Sequence, residues 1–294
     1  MTAVEGDQKM ETDIISYIKA NRGEFSKRQR IIADYILENY DSAAYMTAAA
    51  LAAAVGVSES TVVRFAAELG FDGYQKLQKR LQEVTRAQLT SLQRMEIASR
   101  RMGDDHILTA VLKSDVDKIE KTLSEIDRSQ FDGAVEALLR AKNIYITGVR
   151  SAAALASFAG FYFNLLFENV RLINTTGMDD IFEQLLWAGQ GDVVLGMSFP
   201  RYSKNILKAL EYARKRGAAV VGITDSVHSP IVRLSDYCLI ARSDMDSFVD
   251  SLVAPFSVMN ALIVAVGMKK KHEIRDSFER LETIWEEYEV YDKE

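Results

Sequence analysis

Cysteine is nearly absent: the 294 residues hold one, Cys238. That excludes a disulfide framework and a cysteine-based metal site, and it fits a reducing cytoplasm. Proline is almost as scarce, three residues beside sixteen glycines, which leaves little material for long loops and predicts many helices. The three histidines, His106, His228 and His272, lie far apart. None stands at metal-ligand spacing from another, so neither a metal nor a cofactor is expected. No apolar run reaches membrane-spanning length; the most apolar stretch, Ser257 to Met268, has the length of a buried helix. The first ten residues carry Glu5, Asp7 and Lys9 and no apolar core. They do not read as a signal peptide and are expected to be disordered.

What is present suits a water-soluble chain with room for two cores: 48% apolar residues, 27% charged, and a net charge of −6. The charge is unevenly placed. From Arg64 to Arg101 eight basic residues face four acidic ones, whereas from Glu273 to Glu294 nine acids face three bases. The acidity sits in the tail, and local rather than total charge governs attraction to DNA.

The basic segment follows the most informative stretch, Leu51 to Tyr74 (LAAAVGVSESTVVRFAAELGFDGY). Thr47 is placed to cap a first, alanine-rich helix, and Gly56 stands just past its end, where a left-handed residue is wanted. Ser58 is placed to cap a second helix that Gly70 closes. At 100° per residue, Val62, Phe65, Ala66 and Leu69 share one face. Ser60, Arg64 and Ala67 lie opposite, with Thr61 and Glu68 on a flank. One face packs; the other is small and polar with one long cation, which suits a DNA major groove. A helix, a glycine-containing turn and a second helix form the helix-turn-helix pattern; the alternative is an ordinary helical hairpin in a core. Upstream, Asp13 to Ala20 reads as a short amphipathic helix. Ser26 to Tyr40 reads as a longer one capped by Ser26, and Asp41 to Met46 as a connector. Tyr74 to Arg101 reads as a long basic helix.

The string GVSESTVVRFAAELGFDGYQKLQ resembles the amino-terminal domain of the RpiR family of bacterial transcription regulators. Gly56, Ser58, Thr61, Val62, Arg64, Phe65, Leu69, Gly70, Phe71, Gly73 and Tyr74 stand at the matching positions of its GvS-x-x-TV-x-RF-x-x-x-LGF-x-G-[FY] segment. Ser60, Thr61 and Arg64 are then expected to face bases, and Ser58, Lys76, Lys79 and Arg80 to meet phosphates of a double-stranded operator.

After Gly103-Asp104-Asp105 the rhythm changes. Ile107 to Leu123 reads as a helix whose apolar residues are Leu108, Val111, Leu112, Val116 and Ile119, and Phe131 to Leu139 as another. Five strand-like runs then alternate with helices: Asn143–Gly148, Val170–Ile173, Asp192–Ser198, Ala218–Thr224 and Tyr237–Ala241. This alternation predicts right-handed βαβ units in one doubly wound, flavodoxin-like parallel sheet, with ligands beyond the carboxyl ends of the strands. Small hydroxylated residues gather at three of those ends: Thr147 to Ser151, Ser198 to Ser203, and Thr224 to Ser226. Each alone reads as a helix cap; together at one sheet edge they make an anion cradle, with Arg150 or Arg201 adding a charge-assisted bond.

This half, Asn143 to Ala265, looks like a SIS (sugar isomerase) domain, the partner of the helix-turn-helix in the RpiR family. Of the usual G-x-G-x-S and S-x-S-G-x-T loops, Gly148, Ser151, Ser198 and Ser203 match. Arg150 replaces a small residue, Pro200 a serine and Arg201 a glycine. Pro200 removes one cradle donor. The resemblance implies a small anionic, phosphorylated sugar-like effector held by Gly148, Arg150, Ser151, Ser198, Arg201, Tyr202 and Ser203, with Ser251 at a pocket-lining position. Isomerisation would need a base, for which Asp246, Asp250 and His228 are the candidates. Asp250 reads as a cap and His228 as a surface residue, so no enzyme activity is expected. The alternatives are a sugar-phosphate isomerase with an appended helical domain, or a regulator whose SIS domain only dimerises.

The acidic helix Ile274 to Tyr288 carries Phe278, Leu281, Ile284 and Trp285 on one side, for packing within the chain or for a dimer contact. The expected organisation is α plus α/β. It comprises an all-helical helix-turn-helix domain over 1–88, a helical linker over 89–125, a five-stranded SIS domain over 126–272 and an acidic helix over 273–294. A cytoplasmic regulator acting as a homodimer or higher homo-oligomer is the expected whole, since helix-turn-helix proteins read two half-sites.

Overall fold

A computed structural model describes residues 14–86, 90, 92–95, 106–173, 177–244 and 249–291. The predicted amino-terminal disorder, the Gly103–Asp105 break, most of 87–101 and the candidate base Asp246 lie outside them. The chain forms two compact units, one holding the described residues through Met95, the other nearly all those from His106 on.

The first unit is helical: α1 (Ile14–Ala20), α2 (Lys27–Glu38), α3 (Tyr40–Ala43), α4 (Ala48–Val55), α5 (Glu59–Glu68) and α6 (Tyr74–Arg86). Its core gathers Ile18, Ile32, Ile36, Leu51, Phe65 and Leu77 with their neighbours. The helix starts are set locally. Ser26 Oγ accepts from the Gln29 amide while Gln29 Oε1 accepts from the Ser26 amide, a reciprocal capping box. Thr47 Oγ1 accepts from the Ala50 amide. Gly56 ends α4 with φ 69°, where a side chain would be strained. The predicted connector after α2 instead begins with the short helix α3. The carbonyls at and just beyond its end are met by α6. Tyr74 Oη and Gln78 Nε2 donate to the Met46 carbonyl, and Gln82 Nε2 to that of Ala44.

The second unit runs α7 (Ile107–Glu125), α8 (Arg128–Arg140), β1 (Ile144–Gly148), α9 (Ala152–Leu166), β2 (Val170–Ile173), α10 (Met178–Leu185), β3 (Val193–Met197), α11 (Lys204–Lys215), β4 (Ala219–Thr224), a 3-10 turn (Val232–Leu234), β5 (Tyr237–Ile240), α12 (Val253–Lys269) and α13 (Lys271–Glu287). The sheet is parallel throughout, in the order β2-β1-β3-β4-β5. Successive side chains take opposite faces. Ile144 and Ile146 join a core under α8, α9 and α12, while Tyr145 joins one under α10 and α11.

Two helices depart from or decide the sequence expectations. In α7, placed by sequence in the 89–125 linker, the spacing marks Leu108, Val111, Leu112, Val116 and Ile119 as apolar without saying which way they face. The structure packs α7 beside α12 within the second unit and turns Lys118 and Thr122 inward, with Ser114 and Asp115 half-buried beside them. Leu108, Leu112, Val116 and Ile119 are left exposed. Polar anchors win here. Thr122 Oγ1 accepts from the Arg242 amide, and Ser251 Oγ donates to Asp115 Oδ1 at 2.6 Å. In α13, Ile274 and Phe278 pack against the core of their own unit, the intramolecular alternative.

Candidate functional site

The reading helix is α5. It meets α4 at 106°, within the range of a helix-turn-helix. Val62, Phe65, Ala66 and Leu69 are fully buried, as their spacing predicts. Ser60, Val63, Arg64 and Ala67 stand in solvent. Val63, 41% exposed, was not singled out by sequence, although it falls between Ser60 and Ala67 on the same face; an apolar side chain there suits a thymine methyl. Arg64 Nε donates to the Ser60 carbonyl, which folds the cation along the helix surface.

Two expected DNA contacts are placed elsewhere. Thr61 is buried, and its hydroxyl shares a 2.8 Å hydrogen bond with Ser58 Oγ. It belongs to the cap, because position 61 lies on the flank that turns toward the core. Arg80 is also buried, with Nη1 3.2 Å from Glu83 Oε2, so it braces the domain rather than meeting phosphate. Ser58 caps α5, accepting from the Thr61 amide, and bonds Ser60 Oγ at 2.9 Å. Lys76 and Lys79 are exposed; Lys76 pairs with Asp72 at 2.9 Å on the surface. Such a pair contributes little and yields readily to a phosphate.

In the second unit the strand order reverses between β1 and β3, and ligands of such sheets sit at that crevice. Gly148 pairs with Met197 across the two strands, so the loops that follow leave the sheet at one level. Gly148 is required by packing: a Cβ there would lie 2.7 Å from the Ala152 carbonyl oxygen. Arg150 and Arg201 have φ of 60° and 64°, left-handed conformations that most side chains avoid. These are the two positions where the family pattern carries small residues. The backbone turn explains that preference, and here each turn bears a guanidinium exposed to solvent.

Ser151 and Ser203 occupy the caps of α9 and α11, yet neither hydroxyl bonds the helix end. Two helix starts whose cap hydroxyls make no capping bond thus follow the adjacent strands β1 and β3. Ser198 Oγ accepts from the Ser203 amide, and Thr224 Oγ1 donates to the Ser198 carbonyl. Tyr202 Oη donates to Asp225 Oδ1 at 2.9 Å, tying the β3 loop to the β4 loop. Ser198 and Tyr202 therefore shape the edge more than they offer free donors. Thr147 Oγ1, near the end of β1, and Ser243 Oγ, after β5, are buried without a hydrogen-bond partner among the described residues. Such orphans mark sites that a ligand or water completes. Ser251, expected to line the pocket, is engaged by Asp115 of α7.

Of the candidate bases, His228 is exposed with its amide on Ser226 Oγ. Among the described residues no group of His, Cys, Asp or Glu is arranged to hold a metal ion. No single described helix is long and apolar enough to cross a membrane.

Comparison with known proteins fits this geometry. A family profile described as the helix-turn-helix domain of the rpiR family matches residues 12–88, and one for the SIS domain matches residues 137–265. An HTH-type transcriptional regulator of Caldanaerobacter subterraneus subsp. tengcongensis is 26% identical over 273 residues, 90% of this chain and 93% of that one. The Vibrio vulnificus NanR protein complexed with ManNAc-6P superimposes with a TM-score of 0.58 at 23% identity, covering 93% of this chain and 98% of NanR. The sugar isomerase domain of an RpiR transcription factor from Sphaerobacter thermophilus gives a TM-score of 0.58 at 24% identity, covering 61% of this chain and 99% of that domain. Fold, reading helix and profiles together define a class: transcriptional regulators that join a DNA-binding helix-turn-helix to a sugar-isomerase-type sheet domain. Within that class the chain belongs to the RpiR family.

Proposed function

We propose that this regulator is switched by an anionic sugar-like metabolite, a sugar phosphate or sugar acid, bound where the β1 and β3 loops face each other. The observation that carries the reading is the pair of left-handed arginines, Arg150 and Arg201, one in each loop of the crevice. Each left-handed residue costs roughly 1 kcal/mol that glycine would avoid. Strain kept at the same place in two loops points to a use for the charge. Ser151 and Ser203 supply hydroxyls, Gly148 lets the β1 loop close on the helix start, and Ser198 and Tyr202 hold the β3 loop in shape. NanR, which has the same fold, is complexed with ManNAc-6P, and that supports a ligand of this class. Pro200 lacks the amide of the usual cradle, which favours a charge-rich ligand over an isomerase substrate in the standard pose.

In the DNA-reading half, Ser60, Val63 and Arg64 meet base edges, and Lys76, Lys79 and the Ser58 cap lie along phosphates. Effector binding changes the placement of paired reading units and so their fit to half-site spacing. The protein acts in the cytoplasm, as a pair or higher assembly, without catalysing isomerisation.

A thermal-shift series tests the effector site. ManNAc-6P, other sugar phosphates and sugar acids are compared with the matching neutral sugars. A ligand at about a hundred times its Kd stabilises by about 2.7 kcal/mol. The shift is expected from anions alone and is lost in Arg150→Ala and Ser203→Ala. An equal shift from neutral sugars, or none from any anion, rejects the reading. Aldose–ketose interconversion by the pure protein would favour the isomerase alternative.

A further inference from the structure

At the amino-terminal edge of the sheet, the end away from the β1 and β3 loops, lies a cavity of about 650 Å³. Small-molecule sites run from roughly 300 to 1,000 Å³. Its floor is apolar, formed by Ile144, Leu166 and Phe167. Its wall comes from α13. Ile274 and Phe278 of that helix pack against the core, whereas Leu281 and Ile284, further along the same stripe, belong to no core cluster and line the cavity instead. Ile284 is 48% exposed, so apolar surface is left that a suitable occupant would cover. The charged lining is Lys142, Lys270 and Arg280 against Glu168. The Lys270 ammonium lies 4.4 Å from the centroid of the Phe167 ring, a cation–π contact that accounts for it. Lys142 and Arg280 have no such account. Among the described residues no carboxylate pairs with either, although Arg140 and Lys269 nearby share Glu136 and Arg275 holds Glu279.

We propose that this cavity is a second ligand site, for a small amphipathic acid: an acyl or aromatic body that ends in one carboxylate. The body lies on Ile144 and Leu166 against Leu281 and Ile284. The carboxylate accepts charge-assisted hydrogen bonds from Lys142 and Arg280. An acid fits better than a neutral molecule because the charged lining has two more cations than anions. It fits better than a bare sugar phosphate because the floor is apolar and Asn164 Nδ2 is already spent on the Gly160 carbonyl. Lys142 stands two residues before β1 and Arg150 two residues after it, so the two ligand sites occupy opposite ends of one strand. The second site does not depend on the first. An occupant held by both Lys142 and Arg280 ties the last helix to the sheet.

Decanoate titrated into the full chain at submillimolar concentration tests it, with 1-decanol as the neutral twin. The chain holds two tryptophans, so Trp187→Phe leaves Trp285 as the single reporter. Trp285 follows Ile284 on α13 and meets Tyr291 edge to face at 5.3 Å. Decanoate is expected to change its emission saturably and to raise the melting temperature, and decanol to do neither. Lys142→Ala with Arg280→Ala should weaken decanoate about ten- to a hundredfold. Arg150→Ala should leave decanoate binding intact while the response to sugar phosphates is lost. A response that does not saturate, an equal one from decanol, a double variant that binds as the wild type does, or loss of decanoate binding in Arg150→Ala overturns the proposal. Should the double variant fail to fold, Ile284→Phe decides by filling the cavity: blocked binding in thermal shift supports the site, and unchanged affinity rejects it. A chain that answers decanoate in this way but no sugar phosphate leaves this site standing and removes the effector reading instead.

Discussion

Arg150 and Arg201 combine two opposed tendencies at single positions: a backbone that favours glycine and a charge that glycine cannot supply. The trade is measurable. Arg201→Gly should relieve the left-handed turn, leaving stability unchanged or raised by up to about 1 kcal/mol, while the thermal shift given by an anionic ligand disappears. A lowered melting temperature with the ligand shift intact would contradict this. Gly148 presents the reverse case. Its missing Cβ is what lets the Ala152 carbonyl approach. Gly148→Ala should destabilise the chain by roughly 1–3 kcal/mol and weaken the ligand, read by denaturant unfolding with and without effector. Cys238, beside β4, has its thiol pushed up to about 12 by burial. Alkylation of the native protein at pH 8 should therefore be slow and should speed up only under denaturing conditions. The surroundings of this thiol were not visible in its sequence context alone; only the packing of half-buried Cys238 beside Leu234 and Ser235, on the sheet face under α10 and α11, shows them.

At the scale of the element, α5 divides its residues as its period dictates, and the consequences differ by face. Arg64→Ala should weaken operator binding about ten- to a hundredfold with an unchanged fold, checked by a binding titration beside a circular dichroism spectrum. Arg80→Ala should instead lower the stability of the helical unit, because Arg80 is buried beside Glu83. Lys79→Ala should leave sequence preference alone and reduce the salt dependence of binding by about one ion. The capping box at α2 is a separate test: Ser26→Ala removes its acceptor and should cost about 1 kcal/mol. These element-level features were largely legible. Caps at Ser26, Thr47 and Ser58 and the turn at Gly56 are short-range and written in consecutive residues. Thr61 and Arg80 were misplaced because a helical wheel ranks faces without knowing where a neighbouring helix lies. The facing of α7 was not legible for a related reason: periodicity reports a stripe, and only the anchors from Arg242 and Ser251 decide which way it faces.

For the whole molecule, pH separates the contributions of the groups that titrate. Burial pushes the Tyr74 phenol up to about 12. A group whose folded value is raised stabilises fully below its unfolded value, near 10, and loses that contribution as pH rises through 12. The helical unit should therefore lose stability between about pH 10 and 12, and Tyr74→Phe should flatten that fall, read by melts across the range. A fall of equal steepness in the variant would assign it to other groups.

The sequence by itself determined the two kinds of domain. Hydrophobic period, capping residues and glycine turns act over a few neighbouring positions, so helices, strands and the reading face follow from local spacing. It also determined that hydroxyls gather at the ends of three of the five strands, with an arginine at two of them. Only the tertiary structure decided that the β1 and β3 loops are neighbours, since adjacency comes from a strand order that reverses between them. It alone showed that Arg150 and Arg201 are held left-handed, that Thr61 and Arg80 turn inward, and that α7 shows its apolar side to solvent. Each of these depends on which distant segment lies opposite, a choice made by the sum of burial and hydrogen bonding over the whole core rather than by any stretch of residues.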